Sequence, residues 1–141
     1  MRERATTKST KRIVFDSHAI LKWTQLEPGY EKVKAQLIAC REETLTGYMN
    51  HINLGEVYYK TIRTLGLEGA KDFVENFLRL PINIILPDSA LIWKAAEIKA
   101  QHPVSYADCF VAATAITYDA TILTGDPEFK KLGKLVSVQW I

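Results

Sequence analysis

Ser105-Tyr-Ala-Asp-Cys-Phe-Val-Ala-Ala-Thr-Ala115, with Ile122-Leu-Thr-Gly-Asp126-Pro-Glu-Phe129 close behind it, is the stretch on which the fold turns. The first part reads as a helix with one carboxylate, Asp108, in its opening turn. Behind Asp108 the residues are small or apolar: Ala107, Ala112, Ala113 and Ala115, with Val111 and Ile116. Such a surface lets a helix lie close against a sheet. The second part reads as a buried strand that ends in another carboxylate, Asp126.

The same alternation recurs outward from this point. Arg12-Ile-Val-Phe15 is a short apolar run that stops at Asp16, which suits a strand covered on both faces. Asp16-Ser17 can cap a helix running to Thr24. Pro28-Gly29 breaks it, and Tyr30 to Cys40 is helical by period. A second strand is expected over Thr44–Met49. A helix from Asn50 to Leu65 follows, ended by Gly66. Leu67 to Leu80 forms another, stopped by Pro81. The third strand is Ile82–Leu86. Asp88-Ser89 then caps a helix through Ile98. Thr121–Thr124 is the fourth strand, Asp126-Pro127 starts a short helical turn, and Leu135–Val138 is the last strand. Strands alternating with helices predict an α/β chain, a three-layer α/β/α fold with a mainly parallel central sheet.

The bulk numbers narrow the class. With 141 residues, the chain reads as one domain, residues 12–141, behind a basic, flexible leader, residues 1–11. Residues 1–12 carry five cations against Glu3, so the rest of the chain is mildly acidic although the net charge is +2. That is not the footprint of a strong nucleic-acid binder. The apolar fraction of 48% and the charged fraction of 24% are those of an ordinary soluble globule. No apolar run approaches the ~20 residues of a membrane helix, and no secretory h-region is expected. Cys40 and Cys109 lie far apart, which argues against a zinc site or a disulfide scaffold and for reduced thiols in a cytoplasm.

In a parallel sheet every strand ends at the same edge, and ligands sit in the crevice there. Asp16 ends a strand and Asp126 follows one. Glu56 lies early in the helix after the second strand, and Asp108 opens the helix that feeds the fourth. Four carboxylates close together repel one another and hold protons unless cations neutralise them. Hard divalent ions with oxygen ligands, Mg²⁺ or Mn²⁺, suit such a set. A two-metal carboxylate site is the usual apparatus for phosphodiester cleavage by activated water. Each acid also has a plain alternative. Asn53-x-x-Glu56 and Ser105-x-x-Asp108 read as capping boxes, while Asp16 and Asp126-Pro127 read as N-caps. Glu56 can also pair with Lys60 one turn on, worth about 0.2–0.5 kcal/mol. Spacing alone leaves both readings open.

The pattern as a whole resembles the PIN domain family, most closely the VapC-type toxins of toxin–antitoxin pairs. The matching segments are Val14-Phe-Asp16-Ser17, Ile52-Asn-Leu-Gly-Glu56-Val57-Tyr58, Ser105-Tyr-Ala-Asp108 with Ala112-Ala-Thr-Ala115, and Leu123-Thr-Gly-Asp126-Pro-Glu-Phe129. The resemblance implies an endoribonuclease using Mg²⁺ or Mn²⁺. It implies Asp16 and Asp108 as inner metal ligands, Glu56 as a water-mediated ligand or base, and Asp126 as the acid that completes the cluster. Ser17 and Thr124 become polar helpers. The implied partners are RNA, a small antitoxin protein and a second copy of the chain or a higher homo-oligomer, with no membrane. Two positions depart from the family's habit. His18 stands where many relatives carry a small or apolar residue, and Gly125 where they often carry a polar or basic one.

Other side chains invite a role near such a site. Lys22, Lys60, Arg63, Lys130 and Lys131 could line an RNA path, or simply cover solvated helix faces. Tyr58, Tyr59, Trp23 and Trp93 could stack bases or form a dimer face, but they fall in helical apolar periods, which favours packing in the core or at an interface. Cys109 reads as a buried filler without a His to make it a nucleophile. Two rival functions stay open: a housekeeping RNA-processing nuclease, and a PIN-like module that binds RNA or protein without cutting.

Overall fold

Ile13, Val14 and Phe15 are wholly buried, and the strand they form is the centre of the molecule. The computed structural model describes residues 10–141. The leader expected at residues 1–11 lies almost wholly outside the described residues, and strand β1 starts at Lys11.

The described residues run in the order β1 (Lys11–Phe15), α1 (Ser17–Thr24), α2 (Tyr30–Arg41), β2 (Leu45–Asn50), α3 (His51–Phe77), β3 (Ile82–Ile85), α4 (Ser89–Gln101), α5 (Tyr106–Tyr118), β4 (Thr121–Thr124), a 3-10 helical segment (Pro127–Leu135) and β5 (Val138–Trp140). The five strands form one sheet in the order β3-β2-β1-β4-β5. Every pairing is parallel. The expected fold class is therefore the observed one, with a sheet that is parallel throughout the described residues.

Side chains alternate across a strand, so β1 feeds two cores. Val14 joins a cluster with Leu91 and Ala95 of α4 and Val111 and Ala112 of α5. Ile13 and Phe15 join the opposite cluster, with Ile20 of α1, Leu37 of α2 and Leu54 and Val57 of α3. Residues Cys109 to Ala115 of α5 are all buried, which the alanine-rich run permits.

Most boundaries shift from the sequence reading by one to three residues, and three differences are larger or have a clear cause. Helix α3 spans both predicted helices, broken only by Gly66 at φ 80, a backbone conformation that favours glycine. Its second half stops at Phe77 because Leu80 precedes Pro81 and is biased out of the helical region. The last strand is Val138–Trp140, not Leu135–Val138. Phe129 and Leu132 bury themselves in the 3-10 segment, so the chain regains the sheet only where Val138 meets Ile122.

Trp93 and Tyr59 are not core residues. Both are exposed, Trp93 by 65%: α4 turns Leu91, Ala95 and Ile98 inward instead, and α3 turns Leu54, Val57 and Thr61 inward.

Candidate active site

Strand order reverses between β1 and β4, the place where an open parallel sheet forms a crevice. Asp16 leaves the end of β1 there. It is almost fully buried, and its Oδ1 accepts from the Ala19 amide at 2.7 Å, capping α1. Its other oxygen accepts from the Thr124 hydroxyl at the end of β4. Thr124 Oγ1 in turn accepts from the Asp126 amide at 3.0 Å, and Asp126 Oδ1 accepts from the Glu128 amide at 3.0 Å. One hydroxyl thus ties the acid after β1 to the acid after β4. Ser17 starts α1 beside them, half-buried; among the described residues its side chain makes no hydrogen bond to the acids.

Asp108 arrives from the other side. Ser105 caps α5, its hydroxyl accepting from the Asp108 amide at 3.1 Å. Glu56 stands half-buried on α3. Asn53 Nδ2 donates to Glu56 Oε1 at 3.1 Å and to the Ala107 carbonyl at 3.1 Å. The capping-box reading of Asn53 and Glu56 is corrected here. Asn50, extended at the end of β2, takes the cap by accepting from the Ile52 amide. Asn53 is already inside the helix, fully buried, with its amide bridging α3 to α5. The considered Glu56–Lys60 pair is not among the ion pairs of the described residues, which are Lys71–Glu68 and Lys131–Glu128.

Electrostatics show which acids share a field. Burial pushes the Asp16 carboxyl up to about 7, against the pull of its Thr124 and Ala19 hydrogen bonds, and the charges of Asp108 and Asp126 add to the rise. Burial likewise lifts Asp108 to about 6, against the Ser105 hydroxyl, with Asp126, Glu56 and Glu128 repelling it further. The four expected acids are thus coupled in one region. Asp16, Asp126 and Ser105 do cap, as the plain reading held, but capping and clustering coexist. Among the described residues no three His, Cys, Asp or Glu side chains are grouped so that they could hold one ion as they stand. Uncompensated like charges stand apart.

Sequence reasoning missed two residues here. Glu128 is a third acid that repels Asp108, after Asp126 and Glu56, and its position two residues past Asp126 was the available signal. Asn53 looked like a cap because a polar residue near a helix start usually is one. His18 has a buried Nδ1 without a hydrogen-bond partner. Cys109 is buried, and burial raises its thiol, as a filler should behave.

The donor set fits a hard divalent cation. It is made of carboxylate oxygens, two of them held partly protonated near neutral pH by burial and repulsion, and no Lys or Arg of the described residues forms an ion pair with any of the four expected acids.

An α/β chain with carboxylates at the switch point of a parallel sheet is the class that fold and site define. Residues 13–135 match the PIN domain family, and the chain belongs to it. No curated protein matches the chain significantly. Among solved structures, a chain of the DNA-bound VapBC of Salmonella typhimurium superposes with a TM-score of 0.72 at 17% identity, covering 92% of this chain and 97% of that one. A chain of Rickettsia felis VapBC2, bound to a DNA fragment from its promoter, gives 0.70 at 16% identity, covering 91% and 97%. VapC20 of Mycobacterium tuberculosis, a toxin that cleaves the sarcin–ricin loop, gives 0.70 at 16%, covering 86% and 95%. At these identities the likeness is one of fold.

Proposed function

We propose that this protein is a metal-dependent endoribonuclease that hydrolyses RNA phosphodiester bonds, and that it is the toxin of a toxin–antitoxin pair. One observation carries the chemistry: buried Asp16 and half-buried Asp108 repel each other, Thr124 ties Asp16 to the Asp126 amide, and Asn53 ties Glu56 to the Ala107 carbonyl beside Asp108. Asp16 and Asp108 are assigned to hold Mg²⁺ or Mn²⁺, with Asp126 and Glu56 completing the set. When bound, such ions acidify water and neutralise charge on a phosphoryl group. Glu56, the acid least constrained by capping, accepts the proton of the attacking water. Thr124 fixes the Asp16 carboxylate and leaves its lone pairs aimed by two hydrogen bonds. Ser17 stays a candidate helper at the head of α1.

The toxin assignment is supported by the company of the fold, which includes VapBC assemblies and a toxin that cleaves RNA. We extend it to a small antitoxin as partner, to a homodimer or higher homo-oligomer, and to a cytoplasmic location. The chain's division into a leader, residues 1–11, and a PIN domain, residues 12–141, belongs to the same proposal. None of the described helices is long and apolar enough to cross a membrane.

The test uses purified protein, RNA and Mn²⁺. Cleavage is expected, and it stops with a chelator or with Asp108→Asn. A protein that folds, binds Mn²⁺ and leaves every RNA intact would falsify the catalytic reading and favour a binding module. Growth arrest on expression, relieved by co-expression of a small upstream reading frame, separates a toxin from a housekeeping nuclease.

A further inference from the structure

Asn53 is fully buried, yet it spends its side chain on the two elements that carry Glu56 and Asp108. Its orientation is fixed by chemistry. The Ala107 carbonyl only accepts, and so does an ionised Glu56, so the amide nitrogen must face both. Its Oδ1 is buried without a hydrogen-bond partner. Burying an amide in the first turn of α3 in this way carries a free-energy cost that an apolar residue would avoid. Asn50 already satisfies the helix start, so Asn53 is not needed as a cap.

We propose that Asn53 is a positioning residue of the nuclease: it clamps Glu56 to the first turn of α5, so that Glu56 and Asp108 meet a divalent ion as one preset unit. The inference rests on the nuclease reading above. Without the clamp, Glu56 is a half-exposed side chain with several rotamers, repelled by Asp108. With it, one carboxylate oxygen is held and the other is left for the ion or its water.

The experiment is a double-mutant cycle read by calorimetry with Mn²⁺ alone, and separately by RNA cleavage. Asn53→Leu keeps the side-chain shape and removes both donations. It is expected to weaken Mn²⁺ binding about 10–100-fold, the usual effect of losing a group that orients a metal ligand, and to lower kcat while leaving KM for RNA unchanged. In a Glu56→Ala background the same substitution is expected to add nothing. Equal losses in both backgrounds overturn the positioning role, because a merely structural residue acts with or without Glu56. Unchanged Mn²⁺ affinity in Asn53→Leu overturns it too. Asn53→Ala serves as the second variant, and if neither folds the role is withdrawn in favour of a core requirement. The nuclease reading fails separately: Glu56→Ala itself then binds Mn²⁺ and cleaves like the parent.

Discussion

The His18 ring packs against Gly125 so closely that a Cβ at residue 125 would stand 3.0 Å from His18 Cε1 and 2.9 Å from the Ile141 carbonyl oxygen. His18 and Gly125, the two positions at which the resemblance to the family is imperfect, therefore touch. A larger residue at 18 occupies the room that a side chain at 125 would need. Gly125→Ala is expected to destabilise the fold by about 1–3 kcal/mol through overpacking, less a few tenths for the lost chain entropy of glycine. His18→Ala should recover part of that loss and not all, because the Ile141 carbonyl remains. Thermal melts of the two single variants and the double variant check this. Strict additivity would show that the contact is of no consequence.

A second prediction concerns pH. Asp16 and Asp108 have carboxyl groups raised from 3.8 to about 7 and about 6. An acid with a raised folded value keeps its proton in the folded state and releases it on unfolding. Its favourable contribution is therefore present at low pH and is lost as pH rises from about 4 to about 7. Asp16→Asn removes this loss while its carbonyl oxygen can still cap Ala19. At pH 8 without metal the variant should melt higher than the parent, by on the order of 2–4 kcal/mol before any cost at Thr124, and the difference should shrink toward pH 4. Saturating Mn²⁺ should reverse the order, since ions stabilise only the protein that binds them. If the metal-free difference stays constant with pH, the Asp16 carboxyl is not raised by its burial.

Thr124 gives a third prediction. Its hydroxyl donates to the Asp16 carboxylate and accepts from the Asp126 backbone amide, so Thr124→Val strips each of those groups of one partner. The shape is kept and the loss is electronic. Stability should fall by about 1–3 kcal/mol, the cost of leaving buried groups unpaired. The Asp16 carboxyl should rise further, because the hydroxyl is the first of the influences that lower it. Mn²⁺ binding should then need a higher pH than in the parent, and Thr124→Ser should restore it. Calorimetric titrations at pH 6, 7 and 8 decide the matter; parallel curves for Val and Ser variants would remove Thr124 from the site.

The sheet was legible in the sequence because each strand is a short apolar run bounded by a turn former or an acid. Thr121–Thr124 needed no adjustment. The four acids were legible as strand and helix ends, but their coupling was not. Burial of Asp16 depends on α1, β1 and β4 meeting, which no local pattern states. Asn53 was misread because its partner Ala107 is 54 residues away. Leu135 was drawn into the last strand because an apolar residue beside Val136 alternates well, whereas the turn at Gly133 belongs to a positive φ that the sequence only permits. The apolar period that includes Trp93 does not say which of its residues face inward, and on α4 they are Leu91, Ala95 and Ile98.

The basic residues permit one more prediction, because the structure separates what the sequence grouped. Lys131 is paired with Glu128 at 2.9 Å, Lys130 lies over the Trp140 ring, Arg63 lies over the Tyr59 ring, and Lys22 donates to the Pro28 carbonyl. Lys60 is exposed and enters none of these contacts among the described residues. It lies one turn beyond Glu56, and its charge is felt at His18 beside the acids. A cation there can meet a backbone phosphate without first breaking another contact. Lys60→Ala is therefore expected to weaken RNA binding uniformly across sequences and to lower the slope of log K against log salt by about one contact. Lys131→Ala should change that slope less, since its charge is already matched. Binding to a catalytically silent Asp108→Asn background, measured between 50 and 200 mM salt, isolates the effect from cleavage, as ranges of about this width move multi-contact complexes by orders of magnitude. An equal slope change at both lysines would mean that the Glu128 pair opens in the complex and that Lys60 holds no special place on the path.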